Sequence, residues 1–138
     1  MHLPHRSSYN HGMRLSLLTM AALLCFACAD TTPPVVVDVA QLTDTTDAVG
    51  PYTVTAVVRD DRGIDSVTLY YTADQAAAPS FKAVLMESVD GDLYSGEIAG
   101  FPAGANVKYF IEAKDTSASY ARSPAATDAY YQFSVLPP

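Results

Sequence analysis

Every imidazole and every thiol in this 138-residue chain lies in its first 28 positions: His2, His5 and His11, then Cys25 and Cys28. Nucleophilic catalysis by a Ser/His/Asp or Cys/His set needs a base that titrates near neutrality. Zinc sites of the common kind need nitrogen or sulfur donors. From residue 29 onward the chain offers neither, so those two chemistries are excluded there. Cys25-Phe26-Ala27-Cys28 does spell C-x-x-C, but it stands in an apolar run without a βαβ pattern or a second ligand pair, so no redox or metal role is expected of it.

Carboxylates are what remain. Asp60, Asp61 and Asp65 cluster in one short segment, and oxygen donors of this kind suit a hard cation such as Ca2+. The order D-D-R-G-I-D is no EF-hand, however, and Arg62 supplies a counter-charge in place. Turn geometry is therefore the expected role of these residues, as it is for Asp90 and Asp92 around Gly91. A glycosidase needs one carboxyl raised in pKa within a cleft, which a small all-β domain offers poorly. No enzyme activity and no cofactor are expected. The charge balance is 8 basic against 15 acidic residues, a formal net charge of -7. With no basic patch, neither nucleic acid nor an anionic membrane surface is an expected partner.

Tyrosine is the residue type left unexplained, with eight of the nine beyond residue 28. Tyr52, Tyr71, Tyr94, Tyr109 and Tyr131 fall on apolar faces, where packing with the hydroxyl at an edge is the expected use. Tyr70 and Tyr130 fall on the opposite face, together with Phe110. If these three stand together and exposed, they make an aromatic platform suited to protein or sugar contact. If the long Thr, Lys and Glu neighbours cover them, they do not. Tyr120 belongs to a loop, where binding residues often sit, and Arg122 beside it could add a hydrogen-bond fork.

The elements that position these residues begin after an address. Residues 13–29 read MRLSLLTMAALLCFACA, with Arg14 as a positive start and an uncharged run from Leu15 to Ala27. As a helix this run would span about 20 Å, short of the roughly 30 Å hydrocarbon core but suited to an export signal. Met13 is the expected start of that signal, the alternative being a long leader made cationic by Arg6 and Arg14. Ala27-Cys28 ends the run and partly matches the lipobox of bacterial lipoproteins; Leu24, Cys25 and Phe26 depart from it. Lipidation at Cys28 would anchor the chain to a membrane, each buried CH2 contributing about 0.8 kcal/mol. Cleavage after Ala29, at the A-x-A site Ala27-Cys28-Ala29, is the competing expectation and would release the protein. The expected organisation is a signal over 1–27, a Pro-containing tether over 28–34 and one domain over 35–138. From Cys28 on, 6 basic residues face 15 acidic ones, a net charge of -9.

Past the tether the apolar period is two. Alternation marks seven runs: 35–40, 52–59, 66–73, 81–86, 93–98, 106–114 and 130–136. Within them Val35, Val37 and Val39 share one face; so do Phe81, Ala83 and Leu85, and Tyr131, Phe133 and Val135. Val, Thr, Tyr and Phe dominate these runs, as suits a pleated, half-buried surface. Asp60-Asp61-Arg62-Gly63, Asp90-Gly91, Pro102-Ala103-Gly104 and Ser123-Pro124 separate them with turn chemistry. No window beyond the signal carries a helical period. The expected fold is all-β, a seven-stranded antiparallel β-sandwich.

The stretch from Phe101 to Asp115 resembles part of fibronectin type III and related bacterial Ig-like domains. Those carry a Pro-x-Gly turn and then a strand of the form Val-x-Tyr-x-(Ile/Val)-x-Ala-x-Asp. Pro102, Gly104, Val107, Tyr109, Ile111, Ala113 and Asp115 occupy the matching positions. Tyr52 to Tyr71 is similar to the hairpin that precedes it in such modules. The chain departs from the pattern in having no Trp and in the Thr-Ser-Ala-Ser-Tyr after Asp115. The resemblance implies that the first, second and fifth runs face the third, fourth, sixth and seventh. It also implies a non-catalytic role as spacer, adhesin or binding module. Together with the leader, it makes an envelope lipoprotein, outer-membrane or cell-surface, that contacts another envelope protein or a glycan the expected protein. A secreted carbohydrate-binding module is the alternative, disfavoured by the missing Trp.

Overall fold

The computed structural model describes residues 32–138. The expectations for Met13, the export signal and lipidation at Cys28 lie outside the described residues. Nine strands and no helix make up this region. They are β1 (Val35–Val39), β2 (Tyr52–Arg59), β3 (Ile64–Thr72), β4 (Lys82–Leu85), β5 (Glu87–Asp90), β6 (Leu93–Ile98), β7 (Asn106–Asp115), β8 (Tyr120–Ser123) and β9 (Tyr131–Ser134).

Two antiparallel sheets result. One has the order β1-β2-β6-β5; the other has the order β4-β3-β7-β8, with β9 also on β7. Both bury one face against the other, because alternate side chains point to opposite faces. Val54, Ala56, Val58 and Ile98 come from the first sheet, and Val67, Leu69, Val107, Tyr109, Ile111, Ala113 and Phe133 from the second. Strands β2 and β7 therefore show near-perfect alternation of buried and less buried positions. Tyr52 and Tyr109 meet Phe133 edge-on inside this core, at 4.9 and 6.4 Å between ring centroids.

Nine strands stand where seven runs were expected, and both additions are edge segments of four residues. β5 occupies the outer edge of the first sheet and is exposed throughout, so no apolar alternation advertises it. β8 and β9 lie end to end along one edge of β7: Ser123–Tyr120 against Ile111–Lys114, and Ser134–Tyr131 against Asn106–Tyr109. The last strand is thus split, and residues 124–130 loop out between its halves.

Two inward faces also differ from the period-two reading. Val35 and Val37 are exposed while Val36 packs on the core, because a register shift between Val36 and Asp38 moves the phase before Val39 enters. An added residue in a strand does this by rotating every later side chain to the other face. In the fourth run the inward residues are Val84 and Met86, not Phe81, Ala83 and Leu85. Leu85 is 67% exposed, whereas Met86 sits between the sheets at 4%. Phe81 leaves the core for rings on the outer face.

Buried tyrosine hydroxyls tie loops to the sandwich. The Tyr109 hydroxyl accepts the Leu42 N–H at 2.9 Å, and the Tyr71 hydroxyl accepts that of Ala99 at 3.4 Å. Tyr52 donates to the Asp47 carbonyl at 2.6 Å and accepts the Phe101 N–H. The loops near Val49 and Gly100 touch there. A Cβ on Gly50, whose φ is +65°, would come within 2.8 Å of the Gly100 backbone, so only glycine fits both demands.

Candidate functional site: an aromatic cluster on the outer face

Tyr70 and Phe110 are Cα partners across β3 and β7, so their side chains leave the same face of the sheet. Their flanking residues Leu69, Tyr71, Tyr109 and Ile111 point into the core. That alternation alone places both rings outside. They stack at 4.7 Å between centroids, with planes 9° apart. Phe81, arriving just before β4, meets Phe110 edge-on at 5.2 Å and stacks on Tyr130 at 5.3 Å. Phe110 and Tyr130 lie 6.1 Å apart. Tyr70, Phe110 and Tyr130 therefore come together as expected, with Phe81 as a fourth ring. Each remains half-buried. Pairs of this geometry contribute about 0.5–1.5 kcal/mol beyond the area they bury.

Arg122 completes the cluster. Its guanidinium carbon is 4.1 Å from the Phe110 ring centroid and 5.3 Å from that of Tyr130. Its N–H groups donate to the carbonyls of Pro124, Ala126 and Ala129, the last at 2.9 Å. The hydrogen-bond fork that Arg122 could offer is thus taken up by backbone of the 124–130 excursion. Five donors in a rigid plane suit a curved loop whose carbonyls converge, and the flat cation stacks on rings at the same time. A short bond of 2.7 Å between the hydroxyls of Ser123 and Tyr131 closes the neck of the excursion.

Tyr120 opens β8 instead of lying in a loop; as the Cα partner of Lys114 it leaves the same face but stacks on none of these rings. It is 55% exposed, with the Lys114 ammonium 6.0 Å from its centroid. The Lys114 pKa is raised, first by its hydrogen bond to Asp65 and then by that carboxylate's charge. Burial raises Tyr70 as well, aided by the charge of Glu112. Tyr109 is raised by burial, partly offset by the Leu42 N–H, and Tyr94 by burial and Asp92. Each of these tyrosines therefore holds its proton beyond the usual pH, and none is poised as a base.

Two of the candidate aspartates are engaged within the fold. Asp60 Oδ2 accepts the N–H groups of Arg62 and Gly63, both at 2.8 Å, which makes the turn. Asp65 pairs with Lys114 at 3.3 Å. Among the described residues no three His, Cys, Asp or Glu side chains come together to hold a metal. Asp115, fully buried, holds the next turn through the N–H groups of Ser117 and Ser119 at 2.7 and 2.8 Å.

Phe81 and the clamp made by Arg122 escape a period-two reading. Their one trace in the sequence is phase: Phe81 is out of step with Val84 and Met86 once these are taken as the inward pair. No helix among the described residues is long and apolar enough to cross a membrane. Compared with protein-family models and with curated proteins, the sequence matches none.

Proposed function

We propose that this chain is a non-catalytic interaction module, exported to a bacterial envelope, tethered by lipid on Cys28, and of the Ig-like or fibronectin type III-like kind. The strand order supports the type. β1, β2 and β6 share one sheet with β5, and β4, β3, β7 and β9 share the other, the partition implied by the Phe101–Asp115 resemblance. The apolar leader and Ala27-Cys28 support export and the anchor.

One observation carries the interaction role: four half-buried rings and a stacked arginine gathered on the outer face of a sheet. Rings on an outer face are not needed to fill the core. Aromatic side chains and arginine are the types enriched where proteins meet. The partner is then an envelope protein pressing on the ring edges, since the Tyr70 and Phe110 faces already cover each other. A glycan would need an open ring face and is the second reading.

Two measurements test this. Fatty-acid labelling of the wild type in a bacterial host is expected to mark the protein, and Cys28→Ser to abolish the mark; an unlabelled wild type removes the anchor. Envelope cross-linking is expected to capture a partner that Tyr70→Ser with Tyr130→Ser loses while the circular-dichroism spectrum stays β-rich. Equal capture by the variant removes the aromatic surface from the proposal. Glycan binding lost on Tyr70→Ala would shift the reading to a carbohydrate-binding module.

A further inference from the structure

The flank of the sandwich opposite β1 is open. There β4 ends the second sheet and β5 ends the first, joined through Met86, which plugs the gap between the sheets. Among the described residues β4 pairs only with β3, and β5 only with β6, so each leaves one long edge of backbone free. Where β4, β5 and β6 meet lies a cleft of about 570 Å3, lined by Val84, Leu85, Val89, Gly96, Glu87 and Glu97 among others. Gly96 leaves room for Met86 in the core behind it: a Cβ there would point inward and come 2.9 Å from Met86 Cγ. Leu85 and Val89 are 67% and 62% exposed, large apolar groups left in water beside free main chain.

Charge decides what fits. Glu87 lies opposite Ser95, and Glu97 two positions on, so both project from the outer face of β5 and β6. Neither has an ion pair among the described residues; the two pairs formed there are Arg59–Asp92 and Lys114–Asp65. The nearest cation on β4, Lys82, has its ammonium 5.8 Å from the Tyr71 ring. Asp90 adds a further acid at the end of β5. A second copy laid edge to edge on β5 would set these carboxylates against their own kind, and like charges across strands repel. A basic segment meets the opposite situation.

We propose that this flank binds an extended segment of another protein in which apolar residues alternate with Lys or Arg. Its main chain runs between the free edges of β4 and β5. One set of side chains packs on Val84, Leu85 and Val89. The alternate set, being basic, reaches Glu87 and Glu97, which line the same cleft. Strand addition supplies main-chain hydrogen bonds, and the period of two supplies selectivity. This surface is separate from the aromatic cluster, and neither proposal needs the other.

The test uses the full chain in a mild detergent and three capped seven-residue peptides: alternating Val/Lys, alternating Val/Glu and alternating Ser/Lys. Amide chemical shifts are followed during titration. Val/Lys is expected to saturate shifts confined to residues 84–89 and 95–97, with affinity at least tenfold above either other peptide. Glu87→Lys with Glu97→Lys, at surface positions that leave the spectrum dispersed, is expected to weaken Val/Lys tenfold or more and to favour Val/Glu. Equal binding of Ser/Lys, unchanged binding by the double variant, shifts elsewhere, or no saturation would each overturn the proposal. So would a self-dimer whose interface shifts map to residues 87–90.

Discussion

The two flanks of this sandwich are finished differently. On the side of β1, β8 and β9, the loop after β1 is drawn across the gap. Leu42 is held by the Tyr109 hydroxyl, Thr45 exchanges backbone hydrogen bonds with Ser134 and Leu136, and Asp44 accepts the Ser134 N–H at 2.7 Å. Val135 is 1% exposed beneath it. On the side of β4 and β5, among the described residues, Val84 and Met86 close the core and the strand edges stay unpaired. What guards the bare side is negative charge, four-residue strand length and the irregularity between Ser88 and Asp90. These are devices that discourage edge pairing without covering the edge. One flank is therefore part of the folding core and the other is surface, although both carry valine and leucine.

Substitutions on the two sides should separate accordingly. Tyr109→Ala is expected to have the largest effect, a loss of about 3–5 kcal/mol in denaturant unfolding, since it empties a fully buried aromatic site and frees the Leu42 loop. Arg122→Ala should come next at about 1.5–3 kcal/mol, because three carbonyls lose a charged donor and two rings lose their cation. Arg122→Lys should recover little of this, as an ammonium cannot present a planar fork. Tyr109→Phe should cost about 1 kcal/mol through the unpaired Leu42 N–H.

That same hydroxyl predicts an alkaline limb. Its pKa is raised by burial, so its contribution is complete below the unfolded value of 10.0 and is lost as pH climbs toward the folded value. Stability measured from pH 9 upward should fall beyond pH 10, and less steeply for Tyr109→Phe. Smallest of all should be Leu85→Ser on the open flank, within about 0.5 kcal/mol of wild type. A loss there approaching that of Tyr109→Ala would erase the distinction between the flanks.

The strands of the interior are legible in the sequence. Tyr52–Arg59 and Asn106–Lys114 alternate cleanly because each has one dry face along its whole length, and a period of two comes from the pleat. Tyr70, Phe110 and Tyr130 are legible for the same reason: being out of phase with buried neighbours, they have to leave by the other face. The edges are not legible. Glu87–Asp90 has no dry face, so nothing in its composition distinguishes it from a loop. Val35, Val37 and Leu85 are apolar yet exposed, and only the register shift after Val36 and the plug formed by Met86 tell them from core residues. The aspartates read as turn formers at Asp60, where the carboxylate accepts nearby backbone N–H groups, an interaction that depends only on adjacent sequence.

By itself, then, the order of residues determined which faces of the long strands are dry, where the chain turns, and which chemistries lack their reactive groups beyond residue 28. These are local properties, set by side-chain type and by the two-residue pleat. Tertiary structure decided the phase of the edge strands, the split of the last strand around residues 124–130, and the closing of Arg122 on that excursion. It also decided which flank is covered. Such features depend on which distant strand or loop arrives at an edge, and no pattern within an edge strand records its neighbour.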